Sequence, residues 1–203
     1  MKRILIILII FFTLLFSGIV YCYYNFQFWT HLKTEQFETL REYDGENIIA
    51  LRGRQILVHK DFIPHLIELD NYAKNNNIVL IVNQSYRFNG QTISRTVVNP
   101  AKLSNHLAGF AIDFNVEDNN KKYFSNDLKR NNFSKLPIDI QNFINEVRKN
   151  KNLRWGGDFN KEDPIHIDSP INLKSKKDWL NYSELCHNEF SKGIPKWKIW
   201  KNE

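Results

Sequence analysis

Cysteine is nearly absent. The 203-residue chain has only Cys22 and Cys186, which excludes the dense disulfide framework of small secreted scaffolds. Charge is missing altogether between Arg3 and Lys33. No segment repeats at a fixed period, and no low-complexity tract occurs. Charged residues make up 25% and aromatics 14%, a balance that rules out wholesale disorder. No His-Glu-x-x-His stretch is present, so the zinc-protease arrangement with both histidines on one helix is excluded. What remains is room for one domain with a real core.

The gap in charge coincides with an apolar run, Ile4 to Tyr24, preceded by Lys2 and Arg3. Its 21 residues, at ~1.5 Å each in a helix, reach roughly the 30 Å of a bilayer's hydrocarbon. Basic residues before the run and none close behind it predict a cytoplasmic amino end and a domain outside. Tyr21, Tyr23, Tyr24, Phe26, Phe28 and Trp29 have the composition of an interfacial aromatic belt. A cleaved signal peptide is the competing reading. Its apolar region normally runs ~7–15 residues and ends in small residues, whereas bulky Ile19, Val20 and Tyr21 follow Ser17-Gly18. An uncleaved anchor over residues 4–24 is therefore expected.

Taking Lys2 and Arg3 from the 28 basic residues leaves 26 against 22 acidic, an excess of four. Those charges are scattered, as at Lys121-Lys122, Lys174 and Lys176-Lys177. A nucleic-acid binder concentrates them on one face, so nucleic acid is not an expected partner. Composition says nothing of oligomeric state.

Beyond the anchor the pattern predicts an α+β fold: a small antiparallel sheet with flanking helices. Residues 34–42 are expected to be partly helical, with a turn at Asp44-Gly45 and short strands over 48–51 and 55–59. Asp61 is the expected N-cap of a helix with Phe62, Leu66, Leu69 and Ala73 on one face, and Pro64 is tolerated in its first turn. A buried strand over 78–82, a polar loop over 83–99 and an alternating strand over 109–116 follow. Residues 118–135 are a polar insertion without a period. Pro137 opens a helix whose Ile140, Phe143, Ile144 and Val147 share a face. Strand-like segments over 153–159 and 165–167 precede a tail with Trp179, Trp197 and Trp200.

Of six histidines, His31, His59, His65 and His187 have no chemical company that suggests a ligand. His106 and His166 do. The first lies in Ser104-Asn105-His106-Leu107-Ala108-Gly109-Phe110-Ala111-Ile112-Asp113. The second follows Trp155-Gly156-Gly157-Asp158-Phe159, within Asp163-Pro164-Ile165-His166-Ile167-Asp168. Two histidines and a carboxylate suffice to hold a catalytic zinc and leave a fourth position for water. Seven residues of straight strand span ~23 Å and seven of helix ~10 Å. His106 and Asp113 can therefore share an ion only if a turn intervenes, and Gly109 permits one. Pro164 likewise breaks the strand alternation that would set Asp163 and His166 on opposite faces.

Together, Ser-x-His-x-x-Gly-x-Ala-x-Asp, Trp-Gly-Gly-Asp and Asp-Pro-x-His resemble peptidase family M15. That family includes D-alanyl-D-alanine carboxypeptidases and L-alanyl-D-glutamate endopeptidases of phage lysins. The Asp-x-x-His form is nearer the endopeptidase-like branch, since the dipeptidase branch has Glu-x-x-His. The resemblance covers roughly residues 56–170, including Ser85-Tyr86-Arg87. It implies zinc held by His106, Asp113 and His166, with Asp163 as general base. It implies Arg87 at the scissile carbonyl and Ser104 near the substrate, with Gln91 on the same wall. Gln84-Ser85 stands where the family commonly has Ser-Gly, a change that bears on where Arg87 points. Asp158 and Asp168 are expected to be supporting residues.

The expected division is an anchor over 1–30, a juxtamembrane segment over 31–55, an M15-like domain over 56–170 and a carboxy-terminal extension over 171–203. The expected function is a membrane-anchored zinc peptidase acting on peptidoglycan stem peptides, as an L-alanyl-D-glutamate endopeptidase. A D-alanyl-D-alanine carboxypeptidase and a catalytically silent zinc-holding envelope module are the alternatives.

Overall fold

The computed structural model describes residues 2–25, 32–91, 96–99 and 101–193. Phe26, Phe28, Trp29, His31, Trp197 and Trp200 lie outside them. Helix α1, Lys2–Asn25, contains a stretch from Lys2 to Tyr21 with a mean hydropathy of 2.9. That is long and apolar enough to cross a membrane, a criterion that a signal sequence also meets.

Two sheets follow. Strand β1 (Leu40–Tyr43) pairs antiparallel with β3 (Ile56–His59). The main sheet has six strands: β2 (Ile48–Ala50), β4 (Ile78–Gln84), β5 (Ala111–Asp118), β6 (Lys121–Tyr123), β7 (Arg154–Trp155) and β8 (His166–Asp168). Its order is β2-β4-β5-β8-β7, with β6 also on β5. This is larger than the small sheet expected and is not wholly antiparallel, because β2 runs parallel to β4. The connection from β2 to β4 passes through α2 (Ile63–Asn75), a crossover that permits parallel pairing.

β5 organises the sheet. Its eight residues are long enough for β8 to pair with Ala111–Asp113 and β6 with Val116–Asp118 along one edge, while β4 takes the other. Ile112, Phe114 and Val116 are buried, and Asp113, Asn115 and Glu117 alternate with them on the more open face. The buried face packs on α2 and on α3 (Ile138–Lys149), which bury Leu66, Leu69 and Ala73, and Ile140, Phe143, Ile144 and Val147. These are the faces that the spacing predicts.

Two local expectations fail for reasons of long-range contact. Residues 34–42 are not a helix: only Thr34–Gln36 forms a turn of 3₁₀ helix, and β1 begins at Leu40. The Glu189 carboxylate accepts the amides of Glu38, Thr39 and Leu40 at 2.7–3.1 Å, about 150 residues away in sequence. Nor does Asp61 cap α2. The chain enters through a 3₁₀ turn, Lys60–Phe62, and His59 Nδ1 accepts the Asp61 amide at 3.1 Å. A missing side-chain cap costs about 1 kcal/mol, less than the ~1.5–3 kcal/mol from each large apolar side chain that α2 buries.

The tail forms α4 (Ile171–Lys174) and α5 (Lys176–Gly193). Trp179 is buried and donates its indole N–H to the Ser104 carbonyl at 3.3 Å. Cys186 is buried as a free thiol.

Candidate metal centre

Three chain segments deliver the donor atoms. Asn105–Ala108 is a 3₁₀ turn closed by Gly109 at φ 77°, the left-handed conformation that suits glycine. A Cβ there would also lie 2.6 Å from the His59 amide nitrogen, which donates to the Gly109 carbonyl. This turn folds His106 back over the start of β5, where Asp113 projects from the open face. β8 pairs with β5 in the register Asp113↔His166, so two of the groups are cross-strand neighbours.

The result is a triangle. His106 Nε2 lies 3.1 Å from Asp113 Oδ1 and 3.2 Å from His166 Nδ1, and His166 Nδ1 lies 2.9 Å from the same carboxylate oxygen. Ligands bound at ~2.0–2.1 Å to a tetrahedral zinc stand ~3.3 Å apart, so the spacing suits such an ion. Among the described residues these three form one group able to hold a metal.

Outer hydrogen bonds set the tautomers. His106 Nδ1–H donates to the Ser85 carbonyl at 2.8 Å, leaving a lone pair on Nε2. His166 Nε2 faces Asp168 Oδ2 at 3.4 Å, which leaves the Nδ1 lone pair pointing at Asp113. Asp168 is buried and anchored by both nitrogens of an Arg154 fork, at 2.9 and 2.7 Å, and by Asn105 at 2.7 Å. Three lone pairs thus converge within hydrogen-bonding distance, an arrangement that needs protons or a cation at its centre. Burial disfavours charged His166, yet hydrogen bonds to Asp113 and Asp168 push its pKa up to about 10. Burial likewise opposes the Asp113 carboxylate, while His106 and His166 hold it well below the usual carboxylate range. A metal ion bound there would take the place of those protons.

The supporting shell yields a measurable expectation. Asp168→Asn should weaken zinc binding about 10–100-fold, the usual cost of losing a partner that orients a ligating histidine. Competition with a chromogenic chelator measures it, and unchanged affinity would show that Asp168 does not orient His166.

A cleft of about 390 Å3 opens over the triangle, and Arg87, Ser104 and Asp163 line it with the three donors. The Asp163 side chain has one buried oxygen, Oδ1, without a hydrogen-bond partner. Burial and then the negative charge of Asp113 raise its pKa above the ordinary value. Its backbone is set by the glycine turn. The Asp163 amide donates to the Gly156 carbonyl at 2.9 Å, and a Cβ on Gly156 would lie 2.2 Å from the Asp163 carbonyl oxygen. The Trp155 indole fixes the same loop through Pro164 O at 2.8 Å.

Arg87 is buried, and its amide donates to the His106 carbonyl at 3.1 Å. The Gln84-Ser85 departure leaves it on the cleft. Ser85 turns its hydroxyl to the Leu57 amide at 3.0 Å and its carbonyl to His106. Gln91 is not brought to this cleft. It is exposed beyond a turn at Gly90, φ 88°, closed by its own amide on Phe88 O. Sequence reasoning missed Ser85, Asn105 and Arg154 as supports. Only the Arg-Trp pair ahead of the two glycines offered a hint of the last.

Comparison with known proteins agrees with this geometry. No curated protein matches the chain. Residues 98–169 match an M15 peptidase family model described as D-alanyl-D-alanine carboxypeptidase, a span that holds Ser104, His106, Asp113, Asp163 and His166. Over these residues the chain is similar to the M15 peptidase family.

Proposed function

We propose that the protein is a membrane-anchored zinc peptidase that hydrolyses peptidoglycan stem peptides, as an L-alanyl-D-glutamate endopeptidase. The observation that carries this reading is the convergence of His106 Nε2, Asp113 Oδ1 and His166 Nδ1 in a cleft shared with an unpartnered Asp163 oxygen.

His106, Asp113 and His166 would hold the zinc. The ion, when bound, supplies Lewis acidity and lowers the pKa of a coordinated water to about 7. Asp163 receives the proton of the attacking water at its unpartnered carboxylate oxygen and returns it to the leaving amine nitrogen. Arg87 faces the scissile carbonyl and stabilises negative charge as it develops there. Ser104 positions the peptide, and its hydroxyl is available because it makes no cap hydrogen bond to the Asn105–Ala108 turn. The Asp163-Pro164-Ile165-His166 spacing supports the endopeptidase branch; the description of the matched model supports a second reading as a D-alanyl-D-alanine carboxypeptidase.

Residues 4–24 hold the protein in the cytoplasmic membrane, with Lys2 and Arg3 inside and the catalytic unit on the wall side. The proposed division is 1–30, 31–55, 56–170 and 171–203, with β1 and β2 of the second segment contributing strands to the folded unit.

The test is digestion of purified peptidoglycan of several stem compositions by the full chain in detergent micelles with zinc, with fragments read by mass spectrometry. New amine termini on glutamate identify the endopeptidase, and release of terminal alanine identifies the carboxypeptidase. A zinc-loaded protein that releases neither is not a wall peptidase.

A further inference from the structure

The polar insertion over residues 118–135 has no chemical motif, yet one of its side chains reaches the loop that carries Asp163. Arg130 Nε donates to the Gly157 carbonyl at 2.9 Å, and the same guanidinium donates to the Phe159 carbonyl at 2.8 Å. The Arg130 amide donates to the Glu162 carboxylate. Among the described residues, the other hydrogen bond that holds Phe159–Glu162 is that of the Phe159 amide to the Gly156 carbonyl at 3.1 Å.

The loop needs fastening. Its closures are the Phe159 and Asp163 amides, both on the Gly156 carbonyl, and at its far end the His166 amide on the Asp163 carbonyl at 3.0 Å. Asn160, Lys161 and Glu162 make no backbone pairing among the described residues. Arg148 grips Asp158 through two bonds of 2.8 Å, but on the far side of Phe159 from the base. The Asp163 carboxylate oxygen Oδ1 has no partner of its own, so its location follows from where the backbone is held. The insertion itself is anchored: Leu128 is fully buried, and Phe133 packs against Trp155 with ring centroids 6.3 Å apart. The Phe159 ring also lies under the Arg154 guanidinium, 4.8 Å from its centroid, so Arg130 adds a backbone clamp from a fixed platform to a loop otherwise held by side chains. Its donors are charged and its acceptors are backbone carbonyls, the stronger class of hydrogen bond.

We propose that Arg130 is a positioning residue, which fastens the Gly157–Glu162 loop and thereby sets where Asp163 stands over the cleft. This rests on Asp163 as the general base. Because a misplacement of about 1 Å can cost about a hundredfold in rate, the effect belongs in turnover, not in substrate or metal binding.

The experiment compares the full-length zinc-loaded protein with Arg130→Ala, Arg130→Lys and Glu162→Ala. It reads kcat and KM on a soluble stem peptide, zinc affinity, melting temperature, and hydrogen exchange at the Asp163 amide. Arg130→Ala is expected to lower kcat by about 10–100-fold, with KM, zinc affinity and melting temperature little changed and faster exchange at Asp163. Arg130→Lys should recover part of the turnover, and Glu162→Ala should reproduce part of the loss. Unchanged kcat and exchange would overturn the proposal. So would parallel losses of kcat, zinc and melting temperature, which would make Arg130 a general stability residue. If the unaltered protein cleaves no peptide, the exchange readout decides alone: faster exchange supports the clamp and unchanged exchange overturns it.

Discussion

Replacing Asp163 with Asn is expected to lower kcat on wall peptides by roughly 10²–10⁴-fold, the usual contribution of a positioned general acid or base, while zinc remains bound. The amide keeps the shape of the carboxyl group but cannot take a proton from the attacking water. Asp163 is separate from the donor triangle, so metal content should stay at the level of the unaltered chain. Its unpartnered Oδ1 is costly to bury, and the substitution should leave the melting temperature equal or slightly higher. A catalytically silent zinc module predicts no change in any peptide-processing readout. Steady-state kinetics with metal analysis on the same samples separates the two. Retained turnover would remove Asp163 from the chemistry.

The second large effect falls on the metal. Asp113 contributes the oxygen that faces both histidine nitrogens, at 3.1 and 2.9 Å. Asp113→Ala should weaken zinc by more than the ~10–100-fold cost of losing an outer partner, and activity should fall to background. Stability reports the same event. Zinc at about 1,000 times its dissociation constant stabilises a folded site by about 4 kcal/mol, or on the order of 10 °C for a unit of this size. The unaltered protein should show that rise on zinc addition, and Asp113→Ala should show little of it. An equal rise in both would place the zinc elsewhere.

How much of this was legible in the chain depends on how local the cause is. The faces of α2 and α3 follow from apolar spacing, because burial against one sheet dictates every third or fourth residue. Gly109 was readable as a necessary turn, since neither straight strand nor helix joins His106 to Asp113. The structure supplies that turn at φ 77°. The candidate ligands and the proposed base emerged only from two motifs taken together. By contrast, residues 34–42 looked partly helical because the groups that shape their end, Glu189 and β3, are distant in sequence. The sheet was underestimated because its strands are short: β7 has two residues and β2, β6 and β8 three each. Runs so short carry no period. Gln91 was expected on the cleft wall beside Arg87, but it is exposed beyond a turn at Gly90. Arg130 was invisible because backbone carbonyls, which have no residue identity, are what it recognises.

The most direct test is to strip the full-length protein with a chelator, confirm the loss of metal, and restore zinc in steps while peptidoglycan digestion is followed by mass spectrometry. New amine termini should be absent from the stripped protein and should rise in proportion to zinc, saturating at one ion per chain. Cleavage that persists without metal, or a fully loaded protein that leaves the wall intact, would contradict the assignment of a zinc peptidase.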